Sequence, residues 1–276
     1  MRASRSRPSS RRSPSSSAAT PTGRSSSTGT NTLSARAPDV PGRRSPTEGP
    51  PFGAPLFVLN LKAYPGSVGA DAVRIGAALE RLARAAGVAA AIAPAAPDLA
   101  RLASALRIPV LSQHVDAFPA GPYTGWVVPS AVRASGGRGS LVNHSEHPLE
   151  ADLIPRALDA LRSEGLVPIV CAKDVDESAR LAAWAPDYLA VEPPELIGGD
   201  RAVSTARPEV VSGTVEAVRR VAPSTHVLCG AGVHDRTDVR RALELGSAGV
   251  LVASAVTRAS SPSDAMAELL AGFRGA

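Results

Sequence analysis

Lysine is nearly missing from this chain. Of 30 basic residues in 276, only Lys62 and Lys173 are lysines, and the other 28 are arginines. Cysteine is as scarce. Cys171 and Cys229 stand far apart in sequence with no paired ligand near either, which excludes a disulfide-stapled scaffold and a thiolate metal site. No apolar run approaches the roughly 20 residues of a membrane-spanning helix. The N-terminus has no apolar core of a secretory signal. The expected compartment is therefore the reducing cytoplasm, with both thiols kept as small buried hydrophobes at strand ends. The Asn143-His144-Ser145 sequon is then without consequence.

Charge is unevenly placed. Residues 1–50 hold nine Arg against Asp39 and Glu48, a net +7, whereas the remainder holds 21 basic and 23 acidic residues, a net −2. The isoelectric point near 9.8 thus belongs to the leading segment. The body has no basic excess to offer phosphate backbones, so neither a nucleic-acid nor a membrane partner is expected. The leading segment is rich in Ser, Arg and Pro and has almost no large apolar residue before Leu33. It cannot bury enough surface to offset its ordering entropy, and disorder is expected over residues 1–51. A transit peptide and an upstream start site are readings left open for it. Residues 52–276 form the expected catalytic domain.

Within that body, short apolar runs alternate with amphipathic stretches. Strands are expected at Leu56–Leu61, Val88–Ala93, Pro109–Gln113, Gly139–Asn143, Leu166–Cys171, Asp187–Glu192, Thr225–Cys229 and Ala248–Ala253. Helices are expected at Ala70–Ala86 (with Val73, Ala77 and Leu79–Leu82 facing inward), Glu150–Glu164, Val175–Trp184, Pro208–Val221, Arg236–Leu245 and Pro262–Phe273. Pro97–Leu106 and Ser130–Ser135 read as shorter ones. Eight strand–helix units fit an α/β protein of the (β/α)8 barrel class. A doubly wound sheet would carry a Gly-rich first turn, and none follows Leu56–Leu61.

Strand ends carry the chemistry of such barrels. Asn60 and Lys62 share one side of the first strand by alternation, pointing into the mouth. A composition that uses Arg almost everywhere has kept Lys62, which suits a compact point charge. His144 falls at a strand-to-helix junction, where a helix N-terminus would favour neutral imidazole and Ser145 would cap. His114, His147, His226 and His234 lack comparable partners and read as polar loop residues. No spacing makes a metal site. Glu192 ends a buried strand. Pro193 and Pro194 then stiffen the start of a loop, and Gly198 and Gly199 free its far end, as in a closing lid. The last two strands end in Cys229-Gly-Ala-Gly232 and Ala253-Ser254, whose small side chains leave backbone N–H groups open to a phosphate.

Five segments together resemble a known family. Asn60-Leu-Lys62, Asn143-His-Ser-Glu146, Val191-Glu-Pro-Pro-Glu-Leu-Ile-Gly198, Cys229-Gly-Ala-Gly232 and Gly249-Val-Leu-Val-Ala-Ser254 are similar, in order, to triosephosphate isomerase of the compact, archaeal type. The resemblance covers essentially residues 55–276. It implies a TIM barrel isomerase of glycolysis and gluconeogenesis. That enzyme interconverts dihydroxyacetone phosphate and glyceraldehyde 3-phosphate, with a small phosphorylated substrate and no metal or organic cofactor. Carried over, Glu192 is the proton acceptor, His144 the electrophile, Lys62 the charge stabiliser and Asn60 a substrate holder. Ile197 and Gly198 belong to the lid, and Gly232, Ala253 and Ser254 face the phosphate. Gln113–Asp116 and Gly121–Gly125 resemble the loop that inserts into a neighbouring subunit, implying a homodimer or homotetramer. The lid departs from the family pattern at Gly199, Asp200 and Arg201, and Ala255 and Leu61 also differ. An isomerase of four-carbon sugar phosphates and a non-catalytic phosphate-binding barrel stay open, as does a Schiff-base aldolase using Lys173.

Overall fold

The computed structural model describes residues 49–196 and 202–274. The expectations for residues 1–48 and for Ile197, Gly198, Gly199, Asp200 and Arg201 lie outside the described residues.

Eight parallel strands are laid down in chain order: β1 (Leu56–Asn60), β2 (Ala89–Ala93), β3 (Leu111–Ser112), β4 (Gly139–Val142), β5 (Val167–Ala172), β6 (Tyr188–Val191), β7 (His226–Cys229) and β8 (Gly249–Val252). They form one sheet in the order β2-β1-β8-β7-β6-β5-β4-β3. A parallel bridge between Ile92 and Val110 joins its two edges, supported by the Ile92 N–H donating to Pro109 O at 3.0 Å. The sheet is therefore a nearly closed (β/α)8 barrel whose two edges meet at that bridge. β3 is shorter than the expected Pro109–Gln113. Pro109 brings no N–H to the ladder, and Gln113 turns its side chain into the barrel mouth.

The described helices are α1 (Ala70–Ala86), α2 (Leu99–Ala105), α3 (Pro129–Ala134), α4 (Leu153–Ser163), α5 (Val175–Ala182), α6 (Val203–Ala206), α7 (Pro208–Val221), α8 (Arg236–Glu244), α9 (Ser254–Thr257) and α10 (Pro262–Ala271). Their ends follow local chemistry. Asp174, Asp235 and Ser261 accept backbone N–H bonds as N-caps of α5, α8 and α10, each worth about 1 kcal/mol. α1 stops at left-handed Gly87, whose N–H returns to Ala83 O and Arg84 O. Its buried stripe is Ala72, Ile75, Leu79 and Ala83, and Ala77, expected inside, is exposed. The 3.6-residue period running through Ile75 selects the face, and alanine tolerates either side. No described helix is long and apolar enough to cross a membrane.

Strand alternation splits the apolar residues into two shells. Leu56, Val58, Leu111, Leu141, Ile169, Tyr188, Ala190, Leu228 and Leu251 fill the barrel, while Phe57, Leu59, Leu189 and Val191 face the helices. Each fully buried Leu or Ile contributes about 1.5–3 kcal/mol. The floor is closed by the segment before β1. Tyr188 Oη accepts from the Phe52 N–H at 3.0 Å and donates to Gly53 O at 3.1 Å, and the two rings stack at 6.0 Å. His226, read as a polar loop residue yet inside the expected strand Thr225–Cys229, opens β7 half-buried, and burial holds its imidazole below the usual range.

Candidate active site

Alternation brings Asn60 and Glu192 inward. Leu56 and Val58 lie inside the barrel, so Asn60 does too; Tyr188 and Ala190 do the same for Glu192. Both polar residues are only 4% exposed. Lys62 and His144 arrive differently. β1 ends at Asn60, and Lys62 itself is left-handed at φ 51°. Its N–H is held by Asn60 Oδ1 at 3.0 Å. β4 ends at Val142, which faces the helices, so alternation alone would send His144 outward. Asn143 at φ 61° redirects it. The Asn143 side chain locks that turn, donating to Cys171 O at 3.0 Å and accepting from the Leu149 N–H at 3.1 Å. A left-handed non-glycine residue costs about 1–2 kcal/mol.

The expected helix at Ser145 is not there. α4 begins at Leu153, and residues 144–147 make a single turn closed by His147 N–H to His144 O at 2.8 Å. The reason for a neutral ring changes accordingly. The Glu146 N–H donates to His144 Nδ1 at 3.2 Å. That bond needs the lone pair on Nδ1, which leaves the ring proton on Nε2. Nε2 faces Glu192 Oε1 at 3.7 Å, too long for a hydrogen bond. Glu192 Oε2 is buried without a partner. Burial pushes the Glu192 carboxyl above its usual range; His144, the Cys171 thiol and Lys62 pull it back, and Glu146 adds to the rise. A carboxylate so exposed to desolvation is a strong base.

Lys62 Nζ lies 2.5 Å from Glu146 Oε1, with its side chain 12% exposed. A cleft open to solvent is lined by Asn60, Lys62, His144, Glu192, Gly232, Ala253 and Ser254 among others. The sequence-expected residues that fall within the described chain thus share one cleft. Ile197 and Gly198 lie outside the described residues. Lys173 is exposed at the end of β5 and lines a neighbouring cavity, away from Lys62 and His144. No group of three or more His, Cys, Asp or Glu among the described residues could hold a metal ion. Both cysteines are buried, and burial pushes Cys229 up to about 12 and Cys171 well above its ordinary value.

Three contributors escape a reading of strand ends. Glu146 pairs with Lys62. Gln113 Nε2 reaches Asn60 Oδ1 at 3.1 Å, Lys62 O at 3.0 Å and Ala93 O at 3.0 Å. Gly230 supports Glu192, because a Cβ there would sit 2.4 Å from Glu192 Cγ. The signal for Gly230 was its position two residues beyond inward-facing Leu228. Gln113 and Glu146 act across loops that sequence does not bring together. His114 and His147 lie in loops as expected but are not without partners. His114 bonds to Asp116 at 3.1 Å and stacks on His147 at 3.8 Å.

A buried carboxylate, an Nε2–H imidazole and an ammonium around one cleft at the carboxyl ends of barrel strands suit proton transfer beside a carbonyl. Comparison with known proteins gives the family. Residues 55–271 match the family model described as triosephosphate isomerase. The chain is 44% identical over 219 residues to the triosephosphate isomerase of Methanosarcina mazei, covering 79% of this chain and 99% of the relative. It is 46% identical over 196 residues to that of Methanococcoides burtonii, covering 71% and 89%, and 43% identical over 216 residues to that of Methanothermus fervidus, covering 78% and 97%. With fold, cleft and near full-length identity in agreement, the chain belongs to the triosephosphate isomerase family.

Proposed function

We infer that the chain is a triosephosphate isomerase, interconverting dihydroxyacetone phosphate and glyceraldehyde 3-phosphate through an enediolate. The observation that carries this reading is the buried Glu192 carboxylate beside the Nε2–H edge of His144, 3.7 Å away, both lining one cleft with Lys62 and Asn60, so that a substrate seated in that cleft meets base, electrophile and ammonium together. Glu192 takes the carbon-bound proton and returns it to the neighbouring carbon. His144 donates from Nε2 to the carbonyl oxygen as electron density moves onto it, then passes protons between the two oxygens. Lys62 stabilises the developing negative charge. Asn60 Oδ1 is engaged by Lys62 N–H and Gln113, which leaves its Nδ2 group to hold substrate oxygen. The backbone at Gly232, Ala253 and Ser254 takes the phosphate, and Ile197 and Gly198 close over it. Donors fixed in advance cost no reorganisation during reaction, which is why such preorganisation dominates catalysis.

Location in the cytoplasm and assembly as a homodimer or homotetramer belong to the same reading. The loop from Ala117 to Trp126 supports assembly. Phe118 stacks on Tyr123 at 4.7 Å and meets Trp126 edge-on at 4.9 Å, with Trp126 52% exposed. An exposed aromatic tip suits burial against a second copy, and light scattering of the purified protein measures its state. Residues 1–48 are proposed to be dispensable, and their deletion is expected to leave kcat unchanged.

A coupled assay with each triose phosphate tests the assignment. Turnover in both directions is expected, lost in Glu192→Gln. Turnover confined to four-carbon sugar phosphates, or binding of inorganic phosphate with no turnover of either triose, would overturn it.

A further inference from the structure

Beside the catalytic cleft, the loops after β3 and β4 are joined by an imidazole pair. The rings of His114 and His147 stack with centroids 3.8 Å apart and planes 11° from parallel. His114 Nε2 lies 3.1 Å from Asp116 Oδ1. Asp116 is itself pinned, since its Oδ2 accepts from the Val127 N–H at 2.7 Å and its own N–H donates to Val127 O at 2.8 Å. On the other loop, His147 directly follows Glu146, whose carboxylate takes Lys62 and whose N–H holds His144 Nδ1. Both rings line one open cavity together with Lys62, His144, Glu146 and Gln113. The stack therefore ties the turn that sets two active-site contacts to a loop anchored elsewhere.

We propose that the His114–His147 stack is an acid-sensitive clasp that positions the Lys62–Glu146 pair, and that double protonation opens it and lowers turnover. The charged groups that face the stack are Asp116 on the β3 loop, Glu146 and His144 on the β4 turn, and Lys62 after β1. Asp116, 3.1 Å from His114 Nε2, accommodates one imidazolium. A second, face to face at 3.8 Å, meets direct repulsion. Burial and the neighbouring His147 hold the His114 imidazole below its ordinary value although Asp116 pulls it up, which favours the neutral, stacked state. The open state gains as falling pH adds the second proton to the stacked pair. His114 and His147 touch no reacting atom; they act through Glu146 and are positioning residues.

The inference rests on the isomerase reading, and the experiment separates the two. Absence of turnover at pH 7.5 strikes that reading alone. The measurement is kcat/KM of each variant divided by that of the parent protein, from pH 5 to 8, with the same triose phosphate, so that substrate ionisation cancels. His147→Phe keeps the stack without a titrating group. Its ratio should stay near 1 at pH 7.5 and climb several-fold above 1 by about pH 5.5. His147→Ala should fall about 3- to 10-fold at pH 7.5, with Phe restoring what Ala loses. His114→Asn, which keeps a donor for Asp116, should likewise climb at low pH. It serves as the second reading should His147→Phe melt more than a few degrees below the parent. Ratios that stay flat with pH, or a Phe variant as impaired as Ala at an unchanged melting temperature, would overturn the clasp.

Discussion

The two ends of the barrel are built from the same strands and differ in almost every physical respect. At the floor, Tyr188 is fully buried, stacked on Phe52, and its hydroxyl both accepts and donates a hydrogen bond. At the mouth, Lys62 and Asn143 hold left-handed backbone, and Glu192 keeps an oxygen buried without a partner. Left-handed backbone occurs at both ends, since Ala185, just before β6 on the floor side, is left-handed too; what separates them is the carboxylate oxygen left unmet at the mouth. In a fold stable by only 5–15 kcal/mol, such terms persist because the packed floor and shell over-determine the mouth. The contrast identifies where stability is made and where it is spent on chemistry.

The largest expected effect tests the mouth. Glu192→Gln should lower kcat by about 10²- to 10⁴-fold and raise the melting temperature at pH 7.5 by roughly 2–5 °C. The sign follows from the raised carboxyl. A group whose folded value lies above its unfolded value contributes its stability at pH below the unfolded one, and that contribution is lost as pH rises through the folded one. The gain from Gln should therefore shrink as pH falls toward about 4, and calorimetry over pH 4–8 would expose a gain that does not.

Next in size is Lys62→Met, expected to cost about 10²- to 10³-fold in kcat/KM by removing the cleft's ammonium. Restoration by Arg should be incomplete, since a planar fork does not replace a point charge; full activity in Lys62→Arg would contradict this. Gly230→Ala should cost about 10²-fold in kcat because its Cβ displaces Glu192, with folding judged by an unchanged circular dichroism spectrum. The smallest effect on rate belongs to the floor. Tyr188→Phe strands the Phe52 N–H and should lower stability by about 1–3 kcal/mol while leaving kcat within experimental scatter. A floor variant that slowed turnover strongly would erase the distinction between the two ends.

Much of this was legible beforehand, for reasons specific to each element. Period-two alternation through Leu56, Val58 and Asn60, and through Tyr188, Ala190 and Glu192, states which side chains enter the barrel. Helix α7 matches its expected bounds, Pro208–Val221, because Pro opens it and the apolar stripe is continuous. The turn at 144–147 was misjudged because Ser145 and Glu146 carry helix-start chemistry, while the turn they make is closed by His144 O and held by Asn143. His114 and His147 were read as partnerless because 33 positions separate them, and only the β3–β4 pairing makes them neighbours.

The chain's own order of residues determined the barrel, the strand-end position of the reactive groups and the family, since periodicity and short motifs are local and survive without a fold. Tertiary structure alone decided the left-handed delivery of His144, the Lys62–Glu146 pair, the Gln113 bonds, the space left by Gly230 and the histidine stack. Those depend on distances between segments remote in sequence, and a hydrogen bond or an ion pair acts over only a few ångströms.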